Sequence, residues 1–488
     1  MREIESRNQK AEIRKQKAEI RKQKAESRKQ KSEIGVHSQT RNVTRWKSEI
    51  RNQTELEKPL SFQRQTQITR RHFFQKTGKG TLGLGLLALG SACEREPWPP
   101  ADGLDEDTFW RVVRSQFPLT REKTYLNTGG LGPAPYPVLD KVQRTILERH
   151  FESEHGHHLI EDARAAVARF TGAETSEIAF MRNATEANAT VASGLDLRPG
   201  DEVIFESHAH PGGLIPWMNR RHAQGIRVKI FDPDHESAEG NLNRISDLIT
   251  DRTRVIQVSH VTAPTGLRFP VAEIAQLARD RNVWFHVDGA QSAGMFPVDL
   301  HAIGCDSYGT SCHKWMLAPH GTGFLYVKRE RLDEVTPTDV GAYSTSVYEL
   351  PDIFEYTPTA QRYEAGTRDA ASILGIAAAI DFLNDIGMDR VTQRGHGLAA
   401  YLQLKLREIP GLTVLTPSVP GLSAAMTTFK TDSVPYDELN RILSDPYGLR
   451  CRVVTERGLD ALRVSTHIFN FPEECDRVVE GIETALGR

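Results

Sequence analysis

Five short apolar runs constrain the fold most. They are Val203 to Phe205, Val228 to Phe231, Val255 to Val258, Val283 to Val287 and Gly323 to Val327. Between them lie stretches of helical period, such as Val271-Ala-Glu-Ile-Ala-Gln-Leu-Ala-Arg279. Strands apolar on both faces need cover on both sides, and parallel pairs need crossover helices. The alternation predicts an α/β fold with a mostly parallel sheet between helical layers. In such sheets ligands bind beyond the carboxyl ends of the strands.

Two polar stretches stand at such ends. In Val283-Trp-Phe-His-Val-Asp288-Gly-Ala-Gln291 an apolar strand runs into a carboxylate, with an amide side chain one helical turn later. In Tyr308-Gly-Thr-Ser311-Cys-His313-Lys314 a strand runs into a tight polar turn carrying a lysine. A lysine in a loop is either a surface group or, if its pKa is lowered, an amine able to attack a carbonyl. Asp288 is either a helix N-cap or a buried carboxylate that favours a nearby cation. Asn183-Ala184-Thr185-Glu186-Ala-Asn188 reads as a capped helix start, and such N-termini also bind anions.

These stretches, in this order, resemble the pyridoxal-phosphate (PLP) enzymes of the class V aminotransferase group, in particular isopenicillin N epimerase-like and cysteine desulfurase-like proteins. The resemblance runs from about Tyr125 to Arg488. It implies PLP-dependent fold type I: a large, mostly parallel, seven-stranded-type sheet domain plus a smaller α+β C-terminal domain. It implies that Lys314 forms a Schiff base with PLP and that Asp288 keeps the ring nitrogen protonated. Gln291 would reach the ring's 3-oxygen. Ala184, Thr185, Ser311 and His313 would hold the phosphate. One ring from Glu206-Ser-His208-Ala-His210-Pro would stack on the cofactor, with His210 the better match and His208 the alternative. Lys314, Asp288 and His210 form the implied catalytic set.

Two further segments carry the resemblance. Tyr363-Glu-Ala-Gly366-Thr367 resembles a segment that crosses a dimer interface, so Thr367 would serve the neighbour's phosphate in a homodimer with shared sites. Leu462-Arg463-Val-Ser-Thr-His467-Ile-Phe-Asn470 matches the family's carboxylate clamp. Arg463 would grip the carboxylate of an amino-acid-type substrate, helped by Asn127 of the Asn-Thr-Gly-Gly loop.

Cysteine desulfurases also need a mobile nucleophilic cysteine upstream of that arginine. Between Arg452 and Arg463 this chain has none, and Cys451 comes too early, in an expected strand from Arg450 to Val454. The Asn-x-Gly-Gly opening and the Val-Thr-Ala-Pro-Thr-Gly266 loop look closer to isopenicillin N epimerase-like proteins. The resemblance then implies chemistry at the α-carbon, with Lys314 as the base. Epimerisation, transamination and elimination stay open at this point. A protein that binds PLP or an amino acid without turnover is the other reading, and the intact Lys314, Asp288 and Arg463 set stands against it.

With 39% hydrophobic and 26% charged residues, the 488-residue chain suits a two-domain core, and its net charge of −2 gives no reason to expect nucleic acid. The five cysteines show neither a C-x-x-C pair nor a metal-ligand spacing. Residues 1–68 repeat Ala-Glu-Ile-Arg-Lys-Gln-Lys without a coiled-coil seam. They read as a basic, low-complexity, disordered tail, or as translation from upstream of the start. Residues 69–93, with Arg70-Arg71 before a short apolar run, read as a twin-arginine signal ending at a lipid-attachable Cys93. This implies an exported protein, periplasmic or anchored in the membrane by lipid. Residues 94–107 read as a linker, 108–368 as an N-terminal segment with the large domain, and 369–488 as the small domain.

Overall fold

The computed structural model describes residues 98–99, 103–120 and 122–488. The tail 1–68, the signal 69–93 with Cys93, and part of the 94–107 linker lie outside the described residues.

Asp105 caps α1 (Glu106–Ser115) by accepting from Thr108 N. There follow β1 (Thr124–Tyr125), α2 (Tyr136–Glu152), α3 (Ile160–Phe170), β2 (Ile178–Met181) and α4 (Ala184–Gly194). Strand and helix then alternate: β3 (Glu202–Glu206), α5 (Pro211–Gln224), β4 (Arg227–Phe231), α6 (Ala238–Leu248), β5 (Thr253–Ser259), α7 (Val271–Asp280) and β6 (Trp284–Asp288). Next come α8 (Leu300–Ile303), β7 (Ser307–Ser311), β8 (Gly323–Val327) and a hairpin of β9 (Thr345–Glu349) and β10 (Ile353–Tyr356). The C-terminal part comprises α9 (Ala370–Ile386), α10 (Met388–Arg407), β11 (Leu412–Val414), β12 (Met426–Thr431), α11 (Tyr436–Ser444), β13 (Leu449–Arg450), β14 (Arg452–Val454), β15 (Ala461–Ser465) and α12 (Pro472–Ala485).

The large sheet has seven strands in the order β2-β8-β7-β6-β5-β3-β4. Only β8 runs against its neighbours; the pairs β3–β4, β3–β5, β5–β6 and β6–β7 are parallel. Alternate side chains go to opposite faces. Ile204, Ile256 and Phe285 pack with Val167 of α3, Ile274 of α7 and Ile376 of α9. Val203, Phe205, Val255 and Trp284 pack with Val191 of α4 and Trp217 of α5. Both faces of β3, β5, β6 and β8 are covered, which is why those runs are largely apolar, whereas β4 at the edge is half-exposed.

The second sheet is antiparallel, in the order β11-β12-β15-β14, and shares a core of Leu402, Phe429, Leu462 and Ile482 with α10 and α12. The single strand expected from Arg450 to Val454 is two. β13 pairs parallel with β1, β14 pairs with β15, and Cys451 sits between them. The N-terminal segment causes the split: it takes β13 away as its own partner. Ser465 N donates to Leu126 O at 2.7 Å, and this seats Asn127 beside β15. Among the described residues no single helix is long and apolar enough to cross a membrane.

Candidate active site

β6 and β7 are adjacent and parallel, so their carboxyl ends open on the same edge of the sheet. Asp288 closes the first, and the turn after Ser311 carries Lys314. Leu317 holds that turn in a left-handed conformation (φ 59°), a geometry that costs a non-glycine residue about 1–2 kcal/mol. Its side chain is fully buried, which anchors it there. Gly132 N donates to His313 O at 2.8 Å. A Cβ at Gly132 would stand 1.9 Å from Lys314 O, so the loop after Asn127 packs on the lysine turn only as glycine.

Lys314, Asp288, His210, Ala184, Thr185, Gln291, Ser311, His313 and Arg463 line one cavity of about 290 Å³. Asn127 joins it through Arg463. Thr367 does not: it is exposed and lines a separate cavity with His320 and Thr322.

Asp288 is held on both oxygens. Asn188 Nδ2 donates to Oδ2 at 2.9 Å and Ala290 N to Oδ1 at 3.0 Å. No helix follows directly, so the alternative reading of Asp288 as a helix N-cap gives way to an Asp-anchored turn, and Gln291 reaches the cavity through that turn. The support runs deeper. Asn188 Oδ1 can only accept, so His286 Nε2–H donates to it at 2.8 Å. Burial pushes the His286 pKa down to about 3, so the ring is neutral and its Nδ1 accepts from Ser307 Oγ at 2.8 Å. Trp284 Nε1 in turn donates to Ser307 Oγ at 2.9 Å. Sequence reading placed Asn188 only in the anion loop. The available signal was Trp284, His286 and Asp288 at alternate positions, hence on one face of β6.

His210 caps α5, its Nδ1 accepting from Gly212 N at 3.0 Å. His208 turns away, buried against Thr265 and His235. At the start of α4, Ala184 N donates to Ser311 Oγ at 2.9 Å, and His313 Nδ1 donates to Thr322 O at 3.0 Å. Asn183 accepts from Glu186 N at 3.0 Å, but Glu186 accepts from Arg182 N, so the capping box is displaced by one residue.

Arg463 is 1% exposed. It donates to Ala263 O at 2.7 Å and to Asn127 Oδ1 at 3.0 Å. Gln291 is oriented by Trp315 Nε1, which donates to its Oε1 at 2.8 Å, and by Gly129 O, which accepts from its Nε2 at 2.9 Å. A Cβ at Gly129 would come within 2.9 Å of both Arg463 Nη2 and Gln291 Oε1. Arg452 also lines the cavity, and sequence reading missed it. Its signal was its place directly across the β14–β15 pair from Arg463.

Burial lowers the Lys314 amine from 10.5 to about 8, against the pull of Asp288 and with help from Arg463 and Arg452. Burial and then Lys314 lower His210. Burial and then Arg452 lower Arg463 to about 9.

This donor set fits PLP. There is an amine that deprotonates readily, a carboxylate locked in place for a cationic ring nitrogen, and a helix N-terminus with Ser311 and His313 for a phosphate. The family profile for class-V aminotransferases matches residues 138–478. The chain belongs to the class V aminotransferase family. It is similar to the isopenicillin N epimerase of Amycolatopsis lactamdurans, 34% identical over 77% of this chain and 98% of that protein. It is also similar to a probable cysteine desulfurase of Methanothermobacter thermautotrophicus, 29% identical over 77% of this chain and 98% of that protein. Among solved structures, a mutant of C-DES with glycine covalently linked to its PLP cofactor superposes with a TM-score of 0.70, at 25% identity over 75% of this chain and 98% of that one. This class V enzyme has the type I fold and uses PLP, whose ring when bound serves as an electron sink.

Proposed function

We propose that this class V enzyme moves the α-proton of an amino acid, as an epimerase of the isopenicillin N epimerase type or as an aminotransferase. The observation that carries the reading is that Lys314 and Arg463 line one cavity. Arg463 grips the α-carboxylate, and the Lys314 amine, deprotonated above about pH 8, takes the α-proton. Lys314 returning that proton to the other face of the same carbon inverts it; where the amino group would instead stay with the bound cofactor, the substrate would leave as a keto acid. A desulfurase reaction through an enzyme cysteine is disfavoured. The β14–β15 connection, Thr455-Glu-Arg-Gly-Leu-Asp460, contains no cysteine, and burial pushes the Cys451 thiol up to about 12. The test is incubation of the PLP-loaded protein with D- and L-amino acids in deuterated water. Deuterium at the α-carbon with the amine retained is expected of an epimerase, and the keto acid of the substrate is expected of an aminotransferase. Sulfide from cysteine with neither of these outcomes would refute the reading.

Two copies are proposed to share their sites. Thr367 is exposed and outside its own chain's cavity, as a residue serving a neighbour has to be. The expected sedimentation mass is that of a dimer, with Thr367→Ala loosening PLP. A monomer that retains PLP would rule the arrangement out.

A further inference from the structure

Arg452 and Arg463 stand directly opposite each other on the antiparallel pair β14–β15. Residues so placed share a face of the sheet, with Cα atoms roughly 5 Å apart. Both line the Lys314 cavity. Like charges placed opposite each other destabilise a sheet. The cost is visible in Arg463, whose pKa is lowered first by burial and then by Arg452.

Arg463 is committed to Ala263 O and Asn127, and its remaining capacity suits one carboxylate. Arg452 is only half committed. Its Nη2 meets Glu456, while its Nη1 is buried with no hydrogen-bond partner. Burial works against the charge on Glu456, but Arg452 prevails and holds that carboxyl below its ordinary range. The carboxylate that lines the cavity, Asp288, already receives Asn188 and Ala290. An amino acid with a single carboxylate would therefore leave Arg452 on Glu456 alone.

We propose that Arg452 binds a second anionic group on the substrate, a side-chain carboxylate that displaces Glu456, so that the enzyme takes dicarboxylic amino acids. Glu456 is a stand-in: a carboxylate on a short flexible stem, held where the distal carboxylate of the substrate goes. Guanidinium groups on opposite residues roughly 5 Å apart match carboxylates separated by a few carbons. This deepens the amino-acid reading above and rests on it.

The experiment uses PLP-loaded protein and two sets of probes. Glutamate and 2-aminoadipate, each as D and L, are compared with the uncharged glutamine and norleucine. Half-saturation is read from the change in the cofactor's visible absorbance, and α-deuterium exchange is read in parallel. The acids are expected to half-saturate at concentrations about tenfold or more below the uncharged probes, the size of one charge-assisted contact. Arg452→Gln should bring that ratio close to one. Glu456→Gln, which removes the competing carboxylate, should raise it, and serves alone if Arg452→Gln fails to load cofactor. A ratio near one in the parent protein, one retained in Arg452→Gln, or one unmoved by Glu456→Gln overturns the inference. Absorbance changes with equal half-saturation sink this inference alone. No change and no exchange with any probe sinks the amino-acid reading as well.

Discussion

Lys314→Ala is expected to abolish the visible band of the protein–cofactor linkage and to slow α-proton exchange by at least about a thousandfold, the upper part of the range for a positioned base. Among the described residues no other lysine lines the cavity, so none of them offers a neighbouring amine to take over. The pH dependence gives a second reading. The Lys314 pKa is lowered by burial from 10.5 to about 8, so linkage of PLP to the cofactor-free protein should speed up as pH rises and level off above about pH 8. An exposed lysine would keep accelerating to above pH 10. The same shift fixes the sign of the stability effect. Between pH 8 and 10.5 the unfolded chain holds a proton at this site that the folded chain has lost, so Lys314 penalises folding fully below pH 8 and not at all above 10.5. The cofactor-free Lys314→Ala protein should therefore melt at or above the parent at pH 7, and the gain should shrink as pH rises through that window. A retained visible band would place the linkage elsewhere, and a large loss of stability at pH 7 would make Lys314 a structural residue.

What could be read from the sequence was local. The apolar runs located five strands of the large sheet, with errors at their ends: Glu202, Arg227 and Thr253 are polar yet still pair within the sheet. The edge strand β2, buried throughout, and the β9–β10 hairpin were not read from the sequence. Asp288 and Lys314 could be linked because strand ends define where a parallel sheet binds its ligand. Two features were hidden because they depend on contacts between distant segments. Asn188 meets Asp288 across 100 positions, by way of a helix lying over the sheet. Arg452 enters the cavity because β1 claims β13 and leaves β14 to pair with β15. His210, the better match of the two histidines in the sequence, caps α5, and His208 is turned into the core. A hydrophobic pattern carries neither of the two hidden features, since each depends on which segments meet.

Asp288→Asn should leave PLP bound and slow α-proton exchange by roughly 10² to 10³, the scale for losing one preorganised electrostatic partner. The substitution keeps shape and removes charge. Its side-chain oxygen can still accept from Asn188 Nδ2, while the amide nitrogen that replaces the other oxygen gives up the bond from Ala290 N. What is lost is the anion that favours a protonated ring nitrogen. The Lys314 amine reports the same loss with a definite sign. Asp288 raises that amine's pKa, so removing its charge should move the midpoint for covalent linkage below the parent's value of about 8. A merely disturbed fold would not lower the midpoint while leaving PLP bound. Asn188→Ala tests the support behind the carboxylate. It removes one hydrogen bond to a charged acceptor, worth about 1.5–3 kcal/mol, and also frees His286 Nε2. The expected result is a slowing of roughly ten- to a hundredfold, smaller than for Asp288→Asn and with the same downward direction in exchange rate. Unchanged exchange in Asp288→Asn would remove the ring-nitrogen role from Asp288, and a larger loss in Asn188→Ala than in Asp288→Asn would mean that the Asn188–His286–Ser307 chain positions more than this one carboxylate.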